Sequence, residues 1–329
     1  MDKILLVVLG IFAGILLVVI SFELYLRVSI KNDIQRYAVE SRLWGNNEGR
    51  FVPSENVFLG WEHDKSHPHV NSFGFYGTEY PLEKGKDTFR ILVVGDSITE
   101  NGRYVEILEK MLNASGFGRG FEVWNCGVGG YNLRQYVAFI TERAYKYRPD
   151  MIIIGFCMND LNTGTLVCLS DKGNITGYRF PELSKGVGAR KYRINRFLLL
   201  NSYAYRAFVL MSMGGKENGS DANDVEDCFS LIKESARKNK SPLLAVLIPF
   251  FKSNYERAEV ESYQILKGGL SRGDIRCLDL HGEFKDPGDV SWRAKADDYV
   301  HPSEKGHEVI ADGIYRYLVN NTQFWHKGQ

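Results

Sequence analysis

Short apolar runs alternate with amphipathic segments from residue 88 onward. The first run, residues 91–94, ends at the turn residues Gly95 and Asp96, and apolar residues then recur at helical spacing from Tyr104 to Leu112. The alternation continues and predicts further strands at 121–126, 151–156, 243–248 and 276–280, with helices at 135–147, at 224–239 and after Ser303. Strands that alternate with helices are typical of parallel βαβ units. We therefore predict an α/β fold, a three-layer sandwich around a parallel five-stranded sheet.

The N-terminal segment is apolar throughout. Residues 4–22 carry no charged side chain, and about twenty apolar residues suffice to cross a bilayer as a helix. A cleaved signal peptide, the alternative, would have a shorter apolar region followed by small residues, whereas here the run continues into Phe22, Glu23 and Leu24. We expect residues 1–28 to form an uncleaved transmembrane anchor.

The side of the membrane is left open by the charges that flank this segment. Lys3 precedes it, and four basic residues between positions 27 and 42 follow it. Counted strictly, the positive-inside tendency would keep the large domain in the cytoplasm.

The rest of the chain divides into a connector and one large domain. Residues 29–87 are polar, contain scattered aromatic residues and lack a sustained period, so we interpret them as a membrane-proximal connector. The domain would span residues 88–329. Within it, residues 161–219 fit the alternation poorly and are predicted to be an insertion, either a helix packed on the body of the domain or a lid or wall beside a binding site.

Composition excludes several classes of partner. Forty-one basic and 40 acidic residues give a net charge of +1 without a basic block, so we expect no nucleic-acid binding. The five cysteines form no CxxC pair and no metal-ligand spacing, so we expect no metal and no cofactor. They are predicted to be mainly buried thiols, with a Cys157–Cys168 disulfide as the alternative.

Ser97 lies in a chemically distinctive place. It follows the first strand and precedes a helix, where open α/β sheets bind ligands and where free backbone N–H groups favour negative charge. Ester hydrolysis needs a nucleophile, a base, a group that orients the base, and donors for the oxyanion. Ser97 is the candidate nucleophile. It does not stand in a G-x-S-x-G elbow, because Thr99 occupies the second glycine position.

A carboxylate and an imidazole lie three residues apart near the C-terminus. Asp298 and His301 precede the last predicted helix, and this spacing can bring the carboxylate to one ring nitrogen while the other faces the serine. His281 and His307 are the alternative bases.

Candidate oxyanion donors follow the second and third strands. Gly127, Gly129 and Gly130 allow close backbone approach, and Asn159 can donate a side-chain N–H. Each is also an ordinary turn residue when taken alone.

These blocks together resemble the SGNH/GDSL hydrolases. Residues 95–97 (GDS), 125–130 (NCGVGG), 159–160 (ND) and the Asp298/His301 pair match that family's blocks in order, over about residues 88–318. The resemblance implies a flavodoxin-like sheet with Ser97 as nucleophile, His301 as base and Asp298 as its orienting group. It also implies three oxyanion donors, namely the N–H groups of Ser97 and Gly130 and the side chain of Asn159.

Two further stretches, residues 71–77 and 23–27, are similar to those of membrane-anchored bacterial members of the family. Their catalytic domain commonly lies outside the cytoplasm, so the resemblance implies an extracytoplasmic domain, against the charge count. Two departures from the family pattern stand out. The third block is longer than the usual Gly-x-Asn-Asp, and Glu100 and Asn101 replace small residues and are expected to narrow the mouth of the site.

The leading hypothesis is a serine esterase that cleaves a small acyl ester through an acyl-enzyme. The expected substrate is a small acyl ester, such as an O-acetylated carbohydrate, and the membrane is contacted through the N-terminal helix. An O-acyltransferase with the same triad is one alternative, since its first half-reaction is shared. A non-catalytic binding module with the same fold is the other.

Overall fold

The computed structural model describes residues 3–29, 51–54, 61–161, 202–205 and 222–321, together with positions 56, 59, 198 and 324. They belong to two compact units, Met1–Trp61 with Gly164–Asn218, and Glu62–Thr163 with Gly219–Gln329. The predicted division into an anchor (1–28), a connector (29–87) and a domain (88–329) stays a prediction. Most of the predicted insertion 161–219 lies outside the described residues. Its two interpretations, a packed helix and a lid or wall beside the site, therefore stay predictions.

The first unit contains the apolar helix α1, Lys3–Ser29. Its apolar side chains are exposed apart from Leu26, and it is the one helix in the described part of the chain that is long and apolar enough to cross a membrane. A membrane anchor and a signal sequence both have this length and composition.

Near its C-terminal end, helix α1 forms hydrogen bonds with residues 202–204 of the insertion. The Glu23 carboxylate accepts hydrogen bonds from the N–H groups of Tyr203 (3.0 Å) and Ala204 (2.8 Å) and from the hydroxyl of Ser202 (2.9 Å). Residues 203–205 form a helical turn, and N–H groups at the start of such a turn favour a carboxylate as acceptor. This part of the insertion is therefore tied to the apolar helix.

The second unit is organised around a parallel sheet. Two three-residue strands, β1 Phe51–Pro53 and β2 Trp61–His63, precede it in the chain. Its five described strands are β3 Thr88–Gly95, β4 Gly120–Gly127, β5 Met151–Phe156, β6 Leu243–Leu247 and β7 Cys277–Asp279. They lie in the order β4-β3-β5-β6-β7, all parallel. This is the 2-1-3-4-5 order of flavodoxin-like folds, so the predicted sheet is confirmed.

Helices cover both faces of the sheet. They are α2 Ser97–Glu100, α3 Arg103–Ala114, α4 Leu133–Glu142, α5 Ala222–Lys238, α6 Arg257–Arg272 and α7 Glu304–Asn320. On one face, Ile91 and Val93 of β3 are buried in one cluster with apolar residues of α3 and α7. Phe156 of β5 points the opposite way, because side chains alternate along a strand, and packs against Tyr136 of α4 and Phe229 of α5. The predicted three-layer sandwich is confirmed.

The edge strand β4 is protected by side chains of α3. The amide of Asn113 bonds both the N–H (2.9 Å) and the carbonyl (3.0 Å) of Phe121, and the Glu109 carboxylate accepts the N–H of Val123 at 2.6 Å. These bonds occupy backbone groups that an exposed sheet edge would offer to another chain.

Within the described residues, the long helix α6 was missed by the sequence pattern. Helix α6 contains Gly268 and Gly269, which weaken the helical signal in the sequence. Gly269 is required by packing, because a Cβ there would lie 2.9 Å from Val225 and 3.0 Å from Phe229 of α5. In addition, the predicted helix 135–147 is divided into α4 and the 3-10 turn Ala144–Tyr147.

Candidate active site

Ser97 is placed by close contact between α2 and the ends of two strands. Asp96 caps α2, since its carboxylate accepts the N–H of Ile98 at 2.9 Å. Gly95 ends β3 and pairs with Gly127 at the end of β4. A Cβ on either glycine would overlap α2, with the Thr99 side chain at Gly95 and with helix backbone at Gly127. The glycines therefore allow α2 to lie directly on the sheet.

Ser97, His301 and Asp298 form a hydrogen-bonded line. The Ser97 Oγ lies 2.8 Å from Nε2 of His301, and Nδ1 of His301 lies 2.7 Å from Oδ2 of Asp298. Because an ionised carboxylate only accepts, Nδ1 donates its proton to Asp298, which leaves Nε2 free to accept the proton of the serine hydroxyl. This is the geometry that general-base activation of a serine requires.

The Asp298 carboxylate is held ionised by its surroundings. Partial burial raises the pKa of Asp298, but its hydrogen bonds lower the pKa by more. These bonds come from the N–H groups of His301 and Val300, each 3.0 Å from Oδ1, and from the imidazole of His301. The carboxylate can therefore orient His301 and balance an imidazolium that forms during reaction.

The segment that carries the pair is fixed at both ends. The carbonyl of His301 accepts the N–H of Ala294 at 2.9 Å, and the carbonyl of Tyr299 accepts the N–H of Phe251 at 2.7 Å. Ser303 then caps α7 by accepting the N–H of Gly306, which confirms the predicted helix start.

Neither alternative histidine replaces His301 in this line. Nδ1 of His281 lies 2.8 Å from the Asp279 carboxylate, and its ring packs at 4.4 Å from that of Tyr263, after the edge strand β7. His307 lies in α7 and lines the pocket around Ser97, but it is buried and stacked on Tyr104. Burial, with smaller contributions from the charges of Arg103 and His301, lowers the pKa of His307 to about 4, so it is neutral at pH 7.

The predicted oxyanion donors follow three neighbouring strands. Ser97, Gly130 and Asn159 come after β3, β4 and β5, which are adjacent in the sheet and end at the same edge. Gly130 has φ of +77°, a conformation that glycine adopts without strain. The loop after β4 is joined to β3, because the N–H of Val128 donates to the carbonyl of Gly95 at 3.1 Å.

Cys157 binds the side chain of Asn159, an interaction that the sequence reasoning missed. The Cys157 thiol donates to Oδ1 of Asn159. The oxygen of the amide therefore faces the thiol, and its NH₂ group points away from the thiol and can donate to another acceptor. The structure records the Cys157 thiol as free, and Cys168, the other half of the alternative disulfide, lies outside the described residues. The signal in the sequence was the lengthened third block, GFCMND, in which this cysteine stands two residues before the asparagine.

Cys157 also belongs to a buried acidic cluster with Asp96 and Asp160. Burial raises the pKa of both carboxyl groups, and the charge of Asp96 adds to the effect on Asp160. Their donor atoms are the one set in the described residues with metal-ligand spacing. They already accept the N–H groups of Ile98 and Cys157, so the cluster fits a hydrogen-bonded support beneath Ser97 and we assign no metal to it.

A pocket of about 530 Å³ opens at Ser97. Asn101, Arg103 and Glu304 line it, and Arg103 forms an exposed ion pair with Glu304 at 3.1 Å. Asn101 and Arg103 also line a second cavity of about 840 Å³ between α3 and residues 68–80. The expectation that Glu100 narrows the mouth is wrong, because its side chain is fully buried against His63.

Comparison with known proteins identifies the family. The GDSL-like lipase/acylhydrolase family matches residues 93–309, about two thirds of the chain. No curated protein sequence matches the chain.

The solved structures that match this chain have low sequence identity to it. LAE5, an alpha/beta hydrolase enzyme from the metagenome of Lake Arreo, is 17% identical (72% of this chain, 96% of that chain, TM-score 0.47). A catalytic mutant of Axe2, an acetylxylan esterase from Geobacillus stearothermophilus, is 17% identical (70% and 94%, TM-score 0.47). A lipase/acylhydrolase from Enterococcus faecalis is 14% identical (71% and 96%, TM-score 0.46). The family match over most of the sheet and its site shows that this chain belongs to the GDSL-like lipase/acylhydrolase family, also known as the SGNH/GDSL hydrolases, and is an enzyme that hydrolyses ester bonds.

Proposed function

We propose that this enzyme is a serine esterase in which Ser97 attacks the ester carbonyl. The observation that carries the proposal is the hydrogen-bonded line from Ser97 through His301 to Asp298, with distances of 2.8 and 2.7 Å. His301 removes the hydroxyl proton as the Ser97 Oγ bonds to the carbonyl carbon, and it returns the proton to the leaving alcohol when the tetrahedral intermediate collapses to an acyl-enzyme. Water, activated by the same imidazole, then releases the acid.

The negative charge of the intermediate needs donors that are already in place. We assign this role to the N–H groups of Ser97 and Gly130 and to the side chain of Asn159. The assignment is supported by the strand order, since the three residues follow neighbouring strands that end at one edge of the sheet, and by the hydrogen bond from the Cys157 thiol to the Asn159 side chain. Loss of one such donor costs about 10²- to 10³-fold in kcat in well-studied hydrolases.

The substrate that fits the described pocket is a small acyl ester of a polar alcohol. The pocket around Ser97 is lined by the polar residues Asn101, Arg103, Ser303 and Glu304 and by the apolar residues Ala294 and Pro302. The polar side chains can hydrogen-bond an alcohol, and the apolar residues can contact a short acyl group. Hydroxyl-rich alcohols match this lining, so an O-acetylated carbohydrate is the substrate class we propose.

The apolar helix α1 supports a role at a membrane. We propose that α1 is an uncleaved anchor and that the catalytic unit lies outside the cytoplasm. An exposed apolar helix of 27 residues is long enough to span a bilayer. Cysteine labelling of single-cysteine variants in intact cells, with and without permeabilisation, tests the side of the membrane.

Trapping with a fluorophosphonate probe tests the catalytic proposal. We expect the probe to label Ser97 in the detergent-solubilised chain, and Ser97→Ala to abolish both labelling and p-nitrophenyl acetate turnover. Ser271→Ala on the exposed surface of α6 is the matched control and keeps both. Turnover retained by Ser97→Ala on a folded protein would exclude the mechanism, and absent labelling of the wild type would favour the non-catalytic binding module.

Hydrolysis and acyl transfer share the acyl-enzyme and separate only at its breakdown. A hydroxyl acceptor added at fixed donor concentration should not divert the product from free acid if water is the physiological acceptor. Diversion to an acylated acceptor would replace the esterase by the O-acyltransferase with the same three residues.

A further inference from the structure

A buried pair, His63 and Glu100, lies directly behind the helix that carries Ser97. His63 ends β2 and Glu100 ends α2, and both side chains have no solvent exposure. Nε2 of His63 lies 2.8 Å from Oε1 of Glu100. Neither residue belongs to the hydrogen-bonded line of Ser97.

The proton positions in this pair follow from the partners. Nδ1 of His63 lies 3.1 Å from the carbonyl oxygen of Gly74, and because a carbonyl only accepts, Nδ1 carries a proton. The second hydrogen bond then holds one proton between Nε2 and Glu100, as an ion pair or as a neutral pair. In either form the bond joins the two side chains in a fixed geometry.

The loop on the other side of His63 is itself rigid. Oδ1 of Asn71 accepts the N–H groups of Phe73 (3.1 Å) and Phe75 (3.0 Å), and Gly74 has φ of +87°. This loop therefore presents the Gly74 carbonyl to His63 as a fixed acceptor. It also gives a physical reason for the pattern of residues 71–77, which the catalytic groups do not use.

The backbone of Glu100 connects the pair to the site. Its N–H donates to the carbonyl of Asp96 at 2.9 Å and its carbonyl accepts the amide of Asn125 at 3.0 Å. Gly127, at the end of β4, packs directly on this part of α2. A shift of Glu100 would therefore move both Ser97 and the strand end that leads to Gly130.

We propose that His63 and Glu100 are positioning residues for the Ser97 nucleophile, a role that rests on the proposed esterase function. The pair anchors the C-terminal end of the one-turn helix α2 so that the Ser97 Oγ stays within hydrogen-bond distance of His301. A misplacement of about 1 Å at a reacting group can cost on the order of 10²-fold in rate. The pair acts through backbone geometry and touches no substrate.

The test compares three substitutions of Glu100 in the full chain in detergent. Glu100→Leu keeps the volume and removes the acceptor, and we expect it to lower kcat on p-nitrophenyl acetate and the rate of fluorophosphonate labelling by ~10²-fold, with KM changed by less than about 2-fold. Glu100→Gln can donate to Nε2 of neutral His63 and should stay within about 3-fold of the wild type. Glu100→Asp keeps the charge but withdraws the carboxylate by one methylene, so it should lose about 10-fold in rate.

Glu122→Leu is the matched control for general destabilisation. Glu122 pairs with buried Arg90 at 2.7 Å near the opposite end of the sheet from Ser97. It should lower the thermal midpoint as Glu100→Leu does, while kcat and the labelling rate stay at the wild-type value when assayed well below that midpoint.

The outcomes separate this inference from the proposed function. If the wild type is not labelled at Ser97, the proposed function fails. If the wild type is labelled and Glu100→Leu reacts at the same rate, or if both Leu variants slow equally, the positioning role is wrong. If Glu100→Leu does not fold, the relative rates of the other two variants decide. The positioning role predicts that Glu100→Gln reacts faster than Glu100→Asp, whereas a requirement for charge would make Glu100→Asp the faster variant. His63→Leu combined with Glu100→Leu should be no slower than either alone, since the two act as one unit.

Discussion

Replacement of Asp298 by Asn isolates the orienting role of the carboxylate. In the native site, Oδ1 accepts two backbone N–H groups at 3.0 Å and Oδ2 accepts Nδ1 of His301 at 2.7 Å. An asparagine would keep its oxygen on the two N–H groups and turn its NH₂ towards Nδ1. Two donors would then face each other, so the imidazole would move its proton to Nε2. That nitrogen could no longer accept the proton of Ser97.

The size of the effect follows from the exposure of the pair. The same change in a fully buried triad lowers kcat by about 10⁴-fold. Here 29% of the Asp298 side chain and 37% of the His301 side chain are exposed, so water can compete for Nδ1. We expect a loss of about 10³-fold, which corresponds to about 4 kcal/mol of activation free energy. His301→Ala removes the base itself and should cost at least about 10-fold more.

A second aspartate–histidine pair supplies the control. Oδ1 of Asp279 lies 2.8 Å from Nδ1 of His281, with similar partial exposure, but this pair follows β7 and does not line the Ser97 pocket. We expect Asp279→Asn to leave kcat on p-nitrophenyl acetate within about 2-fold of the wild type. Wild-type kcat in Asp298→Asn, or an equal loss in both variants, would refute the assignment of His301 and its carboxylate.

Three further predictions concern groups around the site. Asn159→Ala should lower kcat by about 10²-fold, and Cys157→Ala by about 10-fold because the amide loses its orienting donor; Cys157→Ser should recover most of that loss in the same steady-state assay. Gly127→Ala places a methyl group against α2, so urea unfolding should show a loss of about 1–3 kcal/mol, and unchanged stability would contradict the close contact. For His307, the folded pKa of about 4 lies below the unfolded value near 6.5, so the unfolded state binds the extra proton between these pH values and stability falls as pH decreases through them. The free energy of unfolding should fall by at most about 3 kcal/mol over this pH range. An equal pH dependence of the free energy of unfolding in the wild type and in His307→Phe would contradict this prediction.

The parts of the fold that the sequence predicted depend on local signals. Residues 151–156 are apolar without interruption because β5 is buried on both faces, and the predicted bounds match the strand. Helix α6 was not predicted, because Gly268 and Gly269 weaken its helical signal. Gly269 allows close contact with Val225 and Phe229 of helix α5. The residue pattern of one segment carries no information about such a neighbour, which is distant in sequence.

The same distinction applies to the site. Asp298 and His301 are three residues apart, so a single turn can bring them together, and the spacing alone made this pair a candidate. Ser97 and His301 are 204 positions apart, and their contact was predicted only because four blocks matched a family in order. His63 carried no comparable signal, because its partner Glu100 is 37 residues away and lies behind the site.

The placement of the site follows from the strand order. Because β4 and β5 lie on opposite sides of β3, the chain turns away in opposite directions after neighbouring strands and leaves a crevice between their carboxyl ends. Ser97 begins a helix at this point, and N–H groups at the start of a helix favour the negative charge of an oxyanion. Such a short helix makes few internal hydrogen bonds and cannot hold its own position. Contact with Gly95 and Gly127 places this helix on the sheet, Asp96 caps its start, and Glu100 anchors its end in the role that we propose. Buried polar groups therefore lie behind a nucleophile that is itself partly exposed.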